Sequence, residues 1–399
     1  MSVIAWCQLV CIWKPAPIAD EVFHLTAVSE IAAGRWPAPG YLSMLPTYHL
    51  VAALPARWLG SSLLLLRSFN LLLAVAALLL LDRTIRRLDA PRESLLLVAW
   101  NPLLFPFWTL AYTESAMLLT LVAGVYFHVR GRRLAAVAAL LASCFVRQSG
   151  LIWLLFIAAW DAADAIAAHP SRGQRRSPLA AIVIRVTWPY LAAAVGFLTF
   201  IRTQGGFSLG AWQFGSGRPN IAQYYCFGLA IALLWAPLWI AFLAGPFGLE
   251  LRNSFRRPLV LAALLGGVGI LEMGFSNPHG WNGDPHYLRN RLLIALSTSV
   301  PLRFLIAAIL AAFVPIVVVW TRRQPRHAML TATWAVTALY LAPHSLVDPR
   351  YYVPPLLLLG GFATYSRGMG RMLAAWNFVL SAAIGAYVLA CGGQTGGVL

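Results

Sequence analysis

The feature of this sequence that most restricts its fold is a series of apolar runs, each close to the length of a membrane-spanning helix. Only 11% of the residues are charged and 60% are hydrophobic, whereas about 25% of the residues of a soluble domain are charged. A helix needs about 20 consecutive apolar residues to cross the hydrocarbon core. The repeated runs therefore predict an all-α polytopic membrane protein, folded as a bundle of transmembrane helices.

Positive charge is concentrated in short segments between the apolar runs. Six arginine clusters separate them: Arg83, Arg86, Arg87 and Arg92; Arg130, Arg132 and Arg133; Arg172, Arg175 and Arg176; Arg252, Arg256 and Arg257; Arg322, Arg323 and Arg326; Arg367 and Arg371. Under the positive-inside rule these six loops lie on the cytoplasmic side. The rule accounts for the net charge of +17. Because the chain has no zinc-finger, helix-turn-helix or RNA-binding pattern, we expect no nucleic-acid partner.

Two apolar runs and one outside loop lie between neighbouring arginine clusters, which predicts about 11–13 spans. The predicted spans are roughly 62–81, 94–110, 115–129, 134–147, 150–168, 179–201, 221–244, 258–275, 302–320, 328–343, 353–365 and 372–391. We expect one integral membrane domain over residues 1–399, with an incomplete helix at 1–13 and a flexible tail at 392–399.

The outside loops are predicted at about 14–61, 202–220, 276–301 and 344–352. Within the first of them, residues 41–60 are less apolar than the spans and contain Pro46 and Pro55. We expect this segment to form a helix that lies in the membrane interface without crossing the bilayer.

Two acidic residues stand side by side at the start of the first outside loop. Asp20 and Glu21 follow an apolar run, and His24 comes one helical turn later. A pair of carboxylates suits general-base catalysis, in which one removes a proton and the other holds a substrate hydroxyl. A solvated loop after a helix has the same spacing, so the spacing alone does not decide between the two.

Further polar groups occur on the same predicted face of the membrane. They are Tyr112 and Glu114; Arg147 and Gln148; Asp284, His286, Tyr287 and Arg289; Asp348, Arg350 and Tyr351. Each group alone also fits an interfacial aromatic belt, a snorkelling arginine or an anchored helix start. A charge placed in the membrane costs about 2.5–3.5 kcal/mol on insertion scales. Several such groups on one face therefore predict a shared polar cavity that opens to the outside. The histidines and aspartate near residue 284 match no metal signature, and we expect no metal.

Several segments resemble those of a known enzyme family, in the same order along the chain. They are DEVFHLTAVSEIAAGRW, NPLLFPFWTLAYTES, RQSGLIW, a glycine-rich loop, GDPHYLRN and DPRYYVPP, between residue 20 and about residue 355. They are similar to the α-1,2-glucosyltransferases of the asparagine-linked glycosylation pathway, which are multispan enzymes of the GT-C class. The middle loop, GAWQFGSGRPNIAQYY, departs from that pattern because it lacks an acidic residue and a histidine after its glycines.

The resemblance implies a reaction and a location for it. Enzymes of that family add the last glucose to the lipid-linked oligosaccharide from dolichyl-phosphate glucose. We therefore expect an inverting hexosyltransferase of the EC 2.4.1 type, with glucose the favoured sugar, a polyprenyl-phosphate donor and a glycan or lipid-linked acceptor. The arginine-rich composition and compact loops are typical of a bacterium. We accordingly expect a multi-pass inner-membrane protein whose active site faces the periplasm.

The resemblance gives the two acids their expected position, and the residue types suggest roles for the others. Asp20 and Glu21 occupy the family's catalytic first-loop position, with Asp20 as general base and Glu21 orienting or substituting. Arg147, Arg289 and Arg350 are expected to bind the leaving lipid phosphate, because a guanidinium fork matches a phosphate oxyanion. The residues expected to contact sugar or acceptor are His24, Tyr112, Glu114, Gln148, Asp284, His286, Tyr287, Asp348 and Tyr351. A single carrier phosphate needs less charge neutralisation than a nucleotide diphosphate, so no obligatory cofactor is expected.

Two other functions stay open at this stage. A transporter or flippase of lipid-linked sugars would need polar residues at the bilayer midplane and on both faces, and few acids are placed to provide them: Asp161, Asp164 and Glu272. A mannosyl-type or protein-directed transferase of the GT-C class would share the features above.

Overall fold

The structure is a computed structural model of the 399-residue chain, and it describes residues 16–18, 20–37, 44–167, 179–203, 220–245, 248, 255–277, 279–285 and 288–391. The predicted helix at 1–13, nearly all of the loop at 202–220 and the tail at 392–399 lie outside the described residues. So do His286, Tyr287 and the side chain of Arg289.

Regular structure within the described ranges is helical, which confirms the predicted all-α class. The α-helices are α1 (Glu21–Ala32), α2 (Thr47–Leu59), α3 (Leu63–Arg87), α4 (Glu93–Ala99), α5 (Glu114–Val129), α6 (Arg133–Val146), α7 (Gly150–Ala167), α8 (Leu179–Thr203), α9 (Ala222–Leu234), α10 (Ala236–Ala244), α11 (Pro258–Gly274), α12 (Leu288–Thr298), α13 (Val300–Arg322), α14 (His327–Leu341), α15 (Val353–Phe362) and α16 (Arg367–Cys391). Short 3₁₀ helices occupy Phe105–Trp108, Gly280–Gly283 and Pro349–Tyr352.

Several of the described helices are long and apolar enough to cross a membrane, as expected of a multi-pass protein. Four pass on length and composition: α3, α7, α13 and the part of α8 from Val183 to Thr203. The pair α9 and α10, bent by 71° at a short break, passes as a fifth. Shorter apolar helices are α5, α6 and α11. Within the described residues, fewer helices pass this test than the 11–13 spans predicted, and several of the predicted spans are short or broken helices.

The predicted span at 94–110 shows how such a break arises. Helix α4 ends at Ala99, and the Asn101 side chain then accepts a hydrogen bond from the Leu103 backbone N–H at 3.0 Å. Pro102 and Pro106 have no N–H to continue a helical ladder. The chain therefore turns, and the next regular element is the 3₁₀ helix Phe105–Trp108.

The chain divides into two compact units. The described residues of the first unit lie within Gln8–Asp89 and Pro106–Gln213, and those of the second lie within Ala90–Phe105 and Phe214–Leu399. In the first unit α3 packs on α5, α5 on α6 and α7 on α8. In the second unit α11 packs on α13, while α15 and α16 pack on α4.

Helices α1 and α2 form a packed pair in the first unit. Helix α2 lies within the predicted segment 41–60, and its 13 residues give a length of about 20 Å, too short for a hydrocarbon core about 30 Å thick. Tyr48 and His49 are buried on one side, while Leu54 and Trp58 are exposed on another. A short helix with an exposed apolar face has the form expected at a membrane interface.

Candidate active site

Glu21 is the most fully bonded carboxylate in the described part of the first outside loop. Arg67 donates to it twice, from Nε to Oε1 at 2.9 Å and from Nη2 to Oε2 at 2.5 Å. The backbone N–H groups of Ile18 and Ala111 also donate to it, each at 2.8 Å. A carboxylate has about four lone-pair sites. All are occupied here, so Glu21 has no remaining position for a substrate proton.

The Glu21–Arg67 pair fixes the start of α1 within the first unit. Both side chains are 0% exposed, and the bonds join α1 to α3 and to the segment that precedes α5. Taking two charges out of water is costly, and the cost is offset only when the remaining lone pairs and protons are bonded. The four donors meet that condition on the carboxylate, so Glu21 acts as an anchor at the helix start.

Asp20, by contrast, stays partly exposed at the N-cap of α1. Its backbone N–H donates to the Tyr112 hydroxyl at 2.9 Å. The position of Asp20 is thus fixed from two sides, by the anchored neighbour Glu21 and by Tyr112. Of the two predicted catalytic acids, Asp20 is the one that a substrate can approach.

Two histidines and two tyrosines pack together beside this helix start. Nδ1 of His24 and Nε2 of His49 lie 2.9 Å apart, and their rings stack with centroids separated by 5.1 Å. The His24 ring also lies 5.3 Å from that of Tyr112 and 6.0 Å from that of Tyr48. Of these residues, sequence analysis identified His24 and Tyr112 but not Tyr48 or His49.

Burial sets the protonation of this cluster. The pKa of His49 is lowered well below its usual range, first by burial and then by the neighbouring His24, so one ring of the pair stays neutral. Burial also raises the pKa of the Tyr48 hydroxyl, and the nearby charges of Glu21 and Glu114 raise it further. The Tyr48 hydroxyl therefore acts as a hydrogen-bond donor.

Asn70 connects this cluster to the segment before α5. The Tyr48 hydroxyl donates to Asn70 Oδ1 at 2.9 Å. Asn70 Nδ2 donates to the Tyr112 carbonyl at 2.8 Å and also to the Leu110 carbonyl. Asn70 thereby holds the backbone that carries the Tyr112 hydroxyl.

A second ion pair of the first unit lies where α5 begins and α6 ends. Arg147 Nη1 donates to Glu114 Oε1, and the two side chains are 13% and 1% exposed. Glu114 Oε2 is buried without a hydrogen-bond partner. Gln148 follows Arg147 in the same turn and is partly buried.

Gly150 accounts for the tightness of that turn. A Cβ at this position would lie 2.7 Å from the backbone N of Cys144 and 2.8 Å from the carbonyl O of Ser143. Backbone atoms cannot move aside as a flexible side chain can, so α7 starts against α6 only with glycine there. The close reversal brings Arg147 to Glu114.

In the second unit, predicted residues gather at the 3₁₀ helix Pro349–Tyr352. Asp348 caps it by accepting from the Arg350 backbone N–H at 3.0 Å, and Arg350 Nη2 returns to the same carboxylate at 2.8 Å. The Tyr351 ring stacks on His344 with centroids 3.9 Å apart and an interplanar angle of 7°. Asp284 is partly exposed, and its carbonyl accepts from Asn290 at 2.8 Å.

Amide side chains hold the loop before this cluster. The Ser345 carbonyl accepts from Asn220 at 2.6 Å and from Asn282 at 3.0 Å. Gln223 donates to two further carbonyls of the same loop, at residues 344 and 346, at 3.0 and 2.6 Å. Satisfied backbone groups make this loop a defined platform for Asp348 and Tyr351.

The structure thus brings Asp20, Glu21, His24 and Tyr112 into direct proximity and joins Glu114 to Arg147. Sequence analysis missed Arg67 and Asn70. Their signal was present, because a charged residue and an amide stand three positions apart in the apolar run LLLLRSFNLLL and so share one helix face. An ionisable residue inside a predicted span is by default a functional hypothesis. Over the described ranges, no group of three or more histidine, cysteine or acidic side chains is placed to hold a metal ion.

Comparison with known proteins adds a family. The model of the DIE2/ALG10 family matches residues 14–360. A Dol-P-Glc:Glc(2)Man(9)GlcNAc(2)-PP-Dol alpha-1,2-glucosyltransferase of Yarrowia lipolytica is 25% identical, over 57% of this chain and 49% of that protein, so the match spans about half its length. The protein of the same name from Arabidopsis thaliana is 23% identical, over 92% of this chain and 89% of that protein.

Two solved structures are similar at lower identity. The first is ArnT from Cupriavidus metallidurans bound to undecaprenyl phosphate, with 13% identity and a TM-score of 0.40, covering 97% of this chain and 78% of that chain. The second is the same protein in the apo state, with 14% identity and a TM-score of 0.39, covering 97% of this chain and 79% of that chain. Because both TM-scores lie below 0.5, nothing further follows from this likeness.

Proposed function

Because the chain belongs to the DIE2/ALG10 family, we propose that it is a multi-pass membrane glycosyltransferase. In this proposal it moves a hexose, with glucose favoured, from a polyprenyl-phosphate carrier to a hydroxyl of a glycan or lipid-linked acceptor. The two relatives named for a Dol-P-Glc donor support a lipid-linked donor. The arginine-rich loops support placing the reaction on the extracytoplasmic face, which is the periplasm if the source is bacterial.

The observation that carries the proposal is the unequal environment of the two adjacent acids. Glu21 is buried and bonded to four donors, whereas Asp20 is partly exposed on a helix start that Glu21 and Tyr112 fix. A general base must be accessible, and it must be held in place. Asp20 meets both conditions, so it is the proposed base and Glu21 is the proposed positioning residue.

The proposed chemistry is a single displacement. The acceptor hydroxyl oxygen attacks the anomeric carbon of the donor sugar while the Asp20 carboxylate takes the hydroxyl proton. The bond between that carbon and the phosphate oxygen breaks, and the phosphate leaves on its isoprenoid carrier with the electron pair. Attack opposite the leaving phosphate inverts the anomeric centre.

Binding roles are assigned by location. Arg147 is the proposed phosphate ligand in the first unit, because its guanidinium is already held toward an anionic group. His24 and Tyr112 adjoin Asp20 and are the proposed sugar or acceptor contacts. The other assignments stay predictions: Arg289 and Arg350 for the phosphate, and Glu114, Gln148, Asp284, His286, Tyr287, Asp348 and Tyr351 for the sugar or acceptor.

One polar cluster of the first unit bears on the transporter alternative. At the far end of α5 and α7 from Glu114, Asp161 accepts from Arg133 at 2.6 Å and from Tyr190 at 3.4 Å. His128 lies 4.0 Å from the same carboxylate. These groups neutralise one another locally, which is the arrangement of a helix-joining ion pair, so they do not favour a transport pathway.

The test is transfer of radiolabelled hexose by the purified protein in detergent. Polyprenyl-phosphate glucose, polyprenyl-phosphate mannose and a nucleotide-linked glucose are supplied separately with a lipid-linked oligosaccharide pool, and protein-free micelles are the control. We expect label to move from the glucosyl lipid and not from the nucleotide sugar. Transfer from the mannosyl lipid alone would establish the mannosyl alternative, and absence of transfer from either lipid would overturn the proposal.

A further inference from the structure

The described acids include one buried carboxylate that is only half satisfied. Glu114 is the first residue of α5 and is 1% exposed. Its Oε1 accepts from Arg147, while its Oε2 is buried with no hydrogen-bond partner. A buried carboxylate oxygen without a donor loses its hydration and gains nothing in return. This arrangement needs an explanation that an ion pair alone does not provide.

Comparison with two other buried acids sharpens the point. Both oxygens of Glu21 are bonded, one to Arg67 and Ala111 and the other to Arg67 and Ile18. Both oxygens of Asp348 are bonded to Arg350. An acid that serves only to join helices has no reason to leave one oxygen bare. Glu114 therefore has the bonding expected of a group that exchanges partners.

We propose that Glu114 is an exchangeable counter-ion, which occupies Arg147 until the donor phosphate binds and then accepts a hydroxyl of the donor's sugar. This inference rests on the proposed function, because it takes Arg147 as a phosphate ligand. Carboxylate and phosphate oxygens fit the same guanidinium donors. In the empty protein the Glu114 carboxylate offsets part of the cost of burying the Arg147 guanidinium.

The exchange has a signature that a purely structural pair lacks. Removing the Glu114 charge releases Arg147 from a competitor, so a lipid phosphate without sugar should bind more tightly. The same change removes an acceptor for a sugar hydroxyl, so turnover of the glycosylated donor should fall. A structural ion pair predicts losses in both measurements, because its disruption would displace Arg147.

The experiment measures binding of farnesyl phosphate to the full-length protein in detergent, by calorimetry, with farnesol as the uncharged control ligand. For Glu114→Gln we expect affinity to rise about tenfold, equivalent to about 1.4 kcal/mol. Arg147→Gln should lower the affinity by at least a similar factor. Asp161→Asn, which removes the carboxylate of the partly buried pair with Arg133 at the other end of the helices, should leave phosphate binding unchanged.

The outcomes separate the two levels of the argument. If Arg147→Gln weakens binding but Glu114→Gln does not strengthen it, the counter-ion inference is overturned and the phosphate role of Arg147 stands. If Arg147→Gln leaves binding unchanged, that phosphate role falls and the inference falls with it. If Glu114→Gln does not fold, Glu114→Asp replaces it, because its carboxylate lies one methylene further from Arg147. We expect Glu114→Asp to strengthen farnesyl phosphate binding as well, and unchanged or weaker binding would overturn the inference.

Discussion

The buried pair of Glu21 and Arg67 gives the sharpest test of how the site is held. Glu21→Gln keeps the shape of the side chain but removes its charge, and it turns an NH₂ group toward groups that are themselves donors. Arg67, 0% exposed, then loses the carboxylate that accepts from both its Nε and its Nη2. Breaking a buried ion pair from one side costs about 3–5 kcal/mol, and we expect that loss in the free energy of unfolding. Arg67→Met should cost a similar amount, because it strands the carboxylate.

The double variant Glu21→Gln/Arg67→Met separates pairing from packing. Once both charges are gone, neither is stranded, so the double variant should be less destabilised than the sum of the singles by about 2 kcal/mol, within the range of direct contacts. The assay is equilibrium unfolding of purified protein in mixed micelles, followed by tryptophan fluorescence.

A matched control lies on the same helix. Glu30 pairs with Arg35, but the two side chains are 36% and 65% exposed, so Glu30→Gln should leave stability unchanged because exposed pairs contribute little. Strictly additive effects at Glu21 and Arg67, or singles no more destabilising than Glu30→Gln, would refute the anchoring role.

Three further changes have expected outcomes. Tyr112→Phe removes the hydroxyl that accepts from Asp20, so kcat should fall while stability drops by only about 1 kcal/mol; an unchanged kcat would argue against that contact. Gly150→Ala should destabilise the protein by about 1–3 kcal/mol through overpacking. Gly196→Ala should be tolerated, because a Cβ there meets nothing within 4 Å. Equal effects of the two variants on thermal unfolding would count against the tight turn. Because the folded-state pKa of His49 is lowered, the unfolded chain binds the proton first as the pH falls below about 6.5. The free energy of unfolding should then drop by up to about 1.4 kcal/mol per pH unit until the folded-state pKa is reached. His49→Gln should flatten that part of the pH dependence of stability, and an unaltered profile would exclude His49 as its source.

The helical class and several element positions could be predicted because they depend on local signals. Apolar runs and arginine-rich ends predicted α3, α7 and α13, and the less apolar segment 41–60 predicted the helix found as α2. The end of α4 was also visible in outline, because Pro102 and Pro106 interrupt the run. These features need only short-range information along the chain.

The sequence could not predict that Glu21 is buried and bonded while Asp20 stays accessible, since tertiary contacts set this difference. The donors to Glu21 include residues 46 and 90 positions away, and no spacing in the sequence shows that they converge. The pairing of Glu114 with Arg147 depends similarly on a turn whose tightness is set by backbone contact at Gly150. A sequence shows that acidic residues are scarce. Whether such a residue stabilises a helix start or takes part in a reaction depends on its hydrogen-bond partners in the fold.

The most direct test of the account is the transfer rate of Asp20→Asn with polyprenyl-phosphate glucose, measured beside the wild-type protein at equal folded concentration. Asparagine keeps the size of the side chain and the backbone bond to Tyr112, but it cannot take the proton from the hydroxyl group of the acceptor substrate. We predict a rate lower by about 10²–10⁴ with an unchanged unfolding midpoint. A rate equal to that of the wild type would remove Asp20 from the chemistry and contradict the account.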